Sequence, residues 1–200
     1  MTITNRAQLA RTLARKVTPI IAKKFEARVR QVVEQAQQMM MMEFLAHPVT
    51  QEIEGGPNAT NISNTLIGAN DHANLFGFIG FNQGEDPTRK IKMYLAQNIQ
   101  VRKVGHSKSQ VAVDFAIDIP DLDKIYQLSP IPWAVGMSWV EGVEKGIPGL
   151  GQYLVGSVPQ GRSGGGIQVK VTLNSGAFKS VRYMTVILQN LVDNIISNLT

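Results

Sequence analysis

Acid–base or metal chemistry in this chain would have to come from His47, His72 and His106, its three histidines, or from carboxylates such as Asp114 and Asp118. A histidine metal site is most simply built at i, i+4 on a helix, which puts two rings on one face. None of the three histidines stands at that spacing, and each falls in a loop or at a helix end. His47, followed by Pro48, reads as a helix terminator whose ring caps the last carbonyls. Asp114 and Asp118 flank Ala116 in an alternating apolar run, so a strand puts both on one face, where solvation accounts for them without proton transfer. With no cysteine in the chain, a thiol nucleophile, a disulfide scaffold and cysteine-ligated metal are excluded. The residues therefore point to no catalytic, cofactor-binding or metal-binding set.

Glycine spacing offers a second kind of chemistry, the cradling of phosphate. Gly146, Gly149 and Gly151 form one candidate loop, and the tract Gly161–Gly166 another. A phosphate loop lies between a strand and a helix and combines backbone N–H donors with a lysine. Neither candidate has that setting, and Pro148 removes one donor. The tract reads as a loop tip on which Arg162 is placed to grip a carboxylate or phosphate of a partner.

The charge distribution is more informative. Up to Arg30 the basic residues are Arg6, Arg11, Arg15, Lys16, Lys23, Lys24, Arg28 and Arg30 against the single acid Glu26, a net +7 in a chain whose total is +5, so everything after Arg30 is near −2. Arg11, Arg15, Lys16, Lys23 and Lys24 are candidate contacts to phosphate or to an acidic partner. Apolar residues recur at helical spacing through the same stretch: Leu9, Leu13, Val17, Ile20, Ile21, Phe25, Val29, Val32, Val33, Ala36, Met39 and Met40. Pro19 predicts a short helix, a bend and a long second helix to Leu45. Four consecutive methionines, Met39–Met42, cannot share one side of a helix, and methionine adapts to irregular surfaces, which suits a helix touching two neighbours at once.

The remainder predicts an α+β fold in which the long N-terminal helix and a C-terminal helix pack on a small, mostly antiparallel sheet. The division is an N-terminal helical arm, residues 1–46, and an α+β body, residues 47–200. Leu75–Phe81 reads as a strand apolar on both faces. A helix opens at Asp86-Pro87 and runs to Gln97, burying Ile91, Tyr94 and Leu95. A hairpin follows from Ile99–Val104 and Gln110–Ile119, then a helical turn after Pro120 through Asp121, Leu122 and Tyr126. Ile131–Val140 reads as a strand, residues 141–166 as a long Gly/Pro-rich exposed loop, and Ile167–Leu173 as a last strand. A helix from Ala177 to Asn198 closes the chain, with Phe178, Val181, Met184, Ile187, Leu188, Leu191 and Ile195 on one stripe. No stretch reaches the ~18 apolar residues of a membrane span, and no secretory signal pattern opens the chain.

This order of elements resembles that of the head-to-tail connector proteins of tailed bacteriophages, in particular the neck and tail-completion family that includes minor tail protein Z. The stretches His47–Ile53, Asn61–Leu66 and Asn74–Phe81 carry the local likeness, with Asn61–Leu66 standing where the family usually has Gly-x-Leu-Arg-x-Ser. The resemblance implies a virion protein, made in the host cytoplasm, with neither catalytic activity nor cofactor. It would form a hexameric or dodecameric ring in the neck, between a portal or adaptor protein and a tail-terminator or tail-tube protein. Packaged DNA would pass nearby, and no membrane would be involved. Contacts between copies are expected at Phe25, Val29, Val32, Val33, Met39 and Met40 on the arm and at Trp139, Tyr153 and Arg162. The basic helix also admits a different class of function, a small nucleic-acid-binding protein that holds phosphates with its N-terminal helix.

Overall fold

The computed structural model describes residues 6–67, 74–106, 113–132, 134–146, 154–156, 166–168 and 178–199. Helix α1 runs from Arg6 to Ala46, 41 residues and about 60 Å at 1.5 Å per residue. The bend expected at Pro19 does not divide it. Proline removes the hydrogen bond its N–H would give to the carbonyl of Arg15. Arg15, Lys16 and Val17 are all exposed, so water can take the freed acceptor.

His47 and Pro48 do end α1, but by a different device from the one expected. The His47 ring caps the amides of the next helix, α2 (Pro48–Glu54), rather than the carbonyls of the one before: its Nδ1 accepts from the Val49 amide at 3.2 Å, with Pro48 in the first helical turn.

Leu75–Ile79 is not a strand but a short helix, α3. Its ends explain why. Asn74 accepts from the Gly77 amide at 2.9 Å, and Gly80, at φ 84°, takes the left-handed conformation that closes a helix with little cost only in glycine. All five residues are buried, as befits a helix apolar all round. Beneath it lies Glu52, fully buried, whose Oε1 accepts from the Leu75 amide at 2.6 Å and whose Oε2 accepts from the Ser63 amide at 2.9 Å. One carboxylate thus satisfies an orphan amide at the start of α3 and pins the preceding loop.

Asp86 and Pro87 form a turn, and helix α4 begins three residues after Asp86, at Arg89, and ends at Gln97 as expected. Asp86 Oδ1 accepts from the Thr88 amide at 3.1 Å, an Asx turn that precedes the helix instead of capping it. Ile91 and Leu95 are buried and Tyr94 is half-buried. The α1 side chain of Gln37 donates to the Leu95 and Ala96 carbonyls at 3.3 and 2.8 Å, so α1 caps the end of α4.

The predicted hairpin is present as β1 (Gln100–His106) and β2 (Val113–Asp118), antiparallel, with a register shift between Lys103 and Gly105. Arg102 meets Asp118 with a bidentate pair at 2.5 and 2.6 Å, which holds the Asp118 carboxyl below its ordinary range. Helix α5 (Leu122–Leu128) follows, with Asp121 as its N-cap.

Ile131–Val140 is not one strand. Pro130–Ile131 (β3) and Ala134–Ser138 (β4) make a small antiparallel pair, and Ser138 caps helix α6 (Trp139–Lys145) by accepting from the Glu141 amide. The exposed loop expected from residue 141 therefore begins as helix. Within the same stretch Leu154–Gly156 (β5) pairs with Gly166–Gln168 (β6). The rest of the expected strand after Gln168 lies outside the described residues. The fold is α+β, its strands grouped in three separate two-stranded antiparallel pairs among the described residues.

The closing helix α7 (Met184–Leu199) starts seven residues after Ala177 because two extended contacts intervene: Phe178 bridges Leu66, and the Val181 amide donates to the Val143 carbonyl at 2.9 Å. Its buried stripe is Met184, Ile187, Leu188, Leu191 and Ile195. Both of its ends are capped by charges of the sign that the helix dipole favours. Glu144 accepts from the Tyr183 and Thr185 amides at 3.2 and 2.6 Å at the N-terminus, and Arg28 of α1 donates to the Asn198 carbonyl at 3.3 Å at the other.

The core lies where α1, α3, α6 and α7 converge. Phe44, Tyr183, Trp139, Phe81 and Phe76 form a run of ring contacts with centroids 5.5–6.2 Å apart, within the range where aromatic pairs attract. Tyr183 is fully buried and its hydroxyl pairs with Thr50 Oγ1. The His47 ring lies tilted against it, with centroids 4.7 Å apart.

Burial lowers the His47 pKa from its ordinary 6.5, and the Nδ1 that caps α2 must be free of a proton to accept. The neutral ring's contribution to stability is therefore complete above pH 6.5 and declines as pH falls below it, where the unfolded chain takes up a proton that the folded chain resists. A urea midpoint measured at about pH 7.5 and again at about pH 5.5 should fall with pH, and His47→Asn, which caps without titrating, should shrink that fall.

Candidate interaction surface

The long helix α1 has two different fates along its length. From Val29 onward one face is core: Val29, Val33, Ala36, Met40 and Phe44 are buried against the body, and α1 packs on α7, α2, α4 and both strands of the β1–β2 hairpin. Own-chain cover reaches back to Ala22, which is buried. Beyond it the described side chains Arg15, Lys16, Val17, Pro19 and Ile20 are exposed, with Ile20 at 71%. Among the described side chains the packing boundary thus falls inside α1, near Ala22, and the helix itself runs on for about 25 Å to Arg6 at 1.5 Å per residue.

The covered half also keeps an open seam. Phe25, Arg28, Val32, Gln35, Met39 and Met42 follow one another at alternating steps of three and four, the spacing of a helix face that another helix can meet. Phe25 is 59% exposed, Met39 47% and Met42 62%. Val32 is buried and floors a shallow groove of about 270 Å³, walled by Gln35, Met39 and Met42 of α1 and by Asn194 and Asn198 of α7. The methionine run divides as its spacing requires: Met40 is core, Met41 packs against the core's edge, and Met39 and Met42 face outward.

Charge follows the same division. From Arg6 to Phe25 there are six basic residues and no acid. Arg15, Lys16, Lys23 and Lys24 are exposed, and no carboxylate among the described residues pairs with them. Arg30 is the contrasting case, held by Glu26 one turn away at 2.9 Å. The α1 segment that lines the groove, Gln31–Ala46, carries Glu34 and Glu43 and no base, and α7 carries Asp193 and no base. Glu43 accepts from Asn190 at 2.6 Å and so ties the two helices together.

The residues expected to contact other subunits therefore separate. Phe25 and Met39 are exposed on the seam. Val29, Val32, Val33 and Met40 are buried in their own subunit, because the apolar arc of α1 is wide enough to turn one side to the body. Trp139 is likewise corrected from a contact to a core residue, 1% exposed between Phe81 and Tyr183. Tyr153 and Arg162 lie outside the described residues, as does most of the glycine tract, and Arg11 falls within α1 with its side chain outside what is described. Phe76, Phe78 and Phe81 are buried in the core.

Several titratable groups of the body make structural contacts. His47 caps α2, and Asp118 pairs with Arg102. Burial, reinforced by Glu144, raises the Tyr126 phenol well above its ordinary value, so its hydroxyl donates to Glu144 at 2.7 Å at all ordinary pH. Glu52 and Glu144, the carboxylates that organise two loops, have no sequence motif to announce them. Among the described residues no group of three or more histidines, cysteines or carboxylates is placed to hold a metal ion. No helix of the described residues is long and apolar enough to cross a membrane. Comparison of the chain with protein-family profiles, curated proteins and solved structures gives no match.

An exposed side chain that touches nothing in its own subunit contributes little to that subunit's stability. Ile20→Ser and Met42→Ser should each leave the urea unfolding free energy of the monomer within about 0.5 kcal/mol, whereas Met40→Ala, one position along the methionine run from Met39, should cost about 2–4 kcal/mol in the same measurement.

Proposed function

We propose that this chain is a structural subunit of the tailed-phage neck, assembling into a hexameric or dodecameric ring between a portal or adaptor protein of the head and a tail-terminator or tail-tube protein. In this reading it turns over no substrate and needs no cofactor, and its place is the virion. The observation that carries it is helix α1, which past Ala22 presents the exposed apolar side chains Val17 and Ile20 together with cations that no described carboxylate pairs. A free amphipathic arm of this kind gains by burial against another protein surface, and ring subunits hold each other through such reaching elements. The likeness in element order to neck and tail-completion proteins supplies the setting.

One specific observation favours a second reading, nucleic-acid binding. Lys16, Lys23 and Arg30 recur at seven-residue intervals and are exposed, a spacing that lays cations along one side of α1, Arg30 being shared with Glu26. Two measurements on the purified chain separate the readings. The neck reading expects a discrete multimer by light scattering as concentration rises, and weak duplex-DNA binding. A chain that stays monomeric and binds duplex DNA with an affinity falling steeply with salt would overturn it in favour of the second.

A further inference from the structure

The two ends of α1 are complementary to each other yet cannot meet within one chain. The N-terminal segment has Leu9, Leu13, Val17 and Ile20 at helical steps of four, four and three in its sequence, with basic residues beside them and no acid, and of these Val17 and Ile20 are described and exposed. The two helices that flank the groove between α1 and α7 offer the opposite charge: Glu34 and Asp193 are exposed on them, and Arg28, the base on this seam, is engaged with the Asn198 carbonyl at 3.3 Å. Its walls are two outward methionines, which adapt to whatever side chain enters, and the amides of Gln35, Asn194 and Asn198, which can pair with polar neighbours. Because the arm is the continuation of the same helix that lines the groove, it cannot double back to fill it.

The geometry points to a second copy of this chain as the occupant: residues 6–22 of one subunit lie in the groove between α1 and α7 of the next, with Val17 and Ile20 against Met39 and Met42 and the arm's cations facing Glu34 and Asp193. Each subunit then gives an arm and receives one. The contact is heterologous, so it propagates from copy to copy and closes into a ring or grows as a filament according to the rotation per step. This identifies the contact within the assembly proposed above and rests on that reading. It also accounts for the run of four methionines. Met40 and Met41 serve the subunit's own core, and Met39 and Met42 serve the neighbour's arm.

The absence of native cysteines makes the test direct. Ile20→Cys and Met39→Cys both fall at exposed positions and should leave the fold intact. A chain carrying both should oxidise to a ladder of covalent multimers, a mixture of the two single variants should give a dimer of one of each, and each single variant alone should stay uncrosslinked. Single variants that dimerise as readily as the mixture, or a double variant without a ladder, would overturn the proposed contact. A second measurement does not depend on crosslinking: Arg15→Glu with Lys16→Glu should weaken self-association about tenfold, and adding Glu34→Lys with Asp193→Lys to the same chain should restore it. No restoration would count against the pairing. A discrete multimer by light scattering without a 20–39 crosslink would remove this contact and leave the ring reading standing. A crosslinked ladder that grows without reaching a closed size would do the reverse.

Discussion

A single helix can present only what its register allows, and in this protein one helix of 41 residues has to be both the spine of the body and its projecting arm. Where the body lies alongside, α1 uses one face for the core and leaves a seam of Phe25, Met39 and Met42 in solvent. Past Ala22 the helix continues to Arg6, and its described side chains there, Arg15, Lys16, Val17, Pro19 and Ile20, are exposed. Isolated helical segments of this length are marginal in water, because nucleation is costly and most helical stability comes from packing an apolar face. The body therefore lends little support to the described exposed positions before Ala22, and the same geometry leaves the groove on α1 and α7 open.

The body that supports this arm is held by polar pins as much as by apolar burial. Glu52 and Glu144 each accept from two backbone amides, one fixing the start of α3 and a loop before it, the other seating the start of α7 beside α6. Arg28 closes the far end of α7, and Gln37 the end of α4, both from α1. A carboxylate that receives two amide N–H groups is strongly favoured, and removing it leaves those donors unpaired. These contacts fix α7 against α1, and so fix the width and polarity of the groove between them. The seam is a consequence of how the core is tied, not a separate decoration on it.

The long amphipathic helix, the β1–β2 hairpin, α4, α5 and the stripe of α7 could be read from periodicity and caps. Leu75–Phe81 could not be read from periodicity, since a short run apolar on every side fits a buried strand or a buried helix equally well. The deciding signals were its ends, Asn74 and Gly80, a helix cap and a helix closer. Ser138 hid the start of α6 in the same way, inside a run that reads as one strand. Pro19 argued for a break that exposed backbone does not enforce. At the candidate surface, the sequence marks α1 as amphipathic but cannot set the phase. Met39 and Met40 are neighbours in sequence, and only the packing of the body against α1 decides that Met40 is covered and Met39 is not. Trp139 was misread for a related reason, because the aromatic chain from Phe44 to Phe76 that encloses it is assembled from distant segments.

Amide hydrogen exchange along α1 tests most directly whether one helix divides its work between a core and a neighbour. In dilute monomer, amides from Ala7 to Ala22 should exchange rapidly while those from Val29 to Phe44 stay protected by the body. On assembly the first group alone should gain protection. If the first group is as protected as the second in dilute monomer, or stays unprotected in the assembled state, the division of α1 into spine and docking arm is wrong.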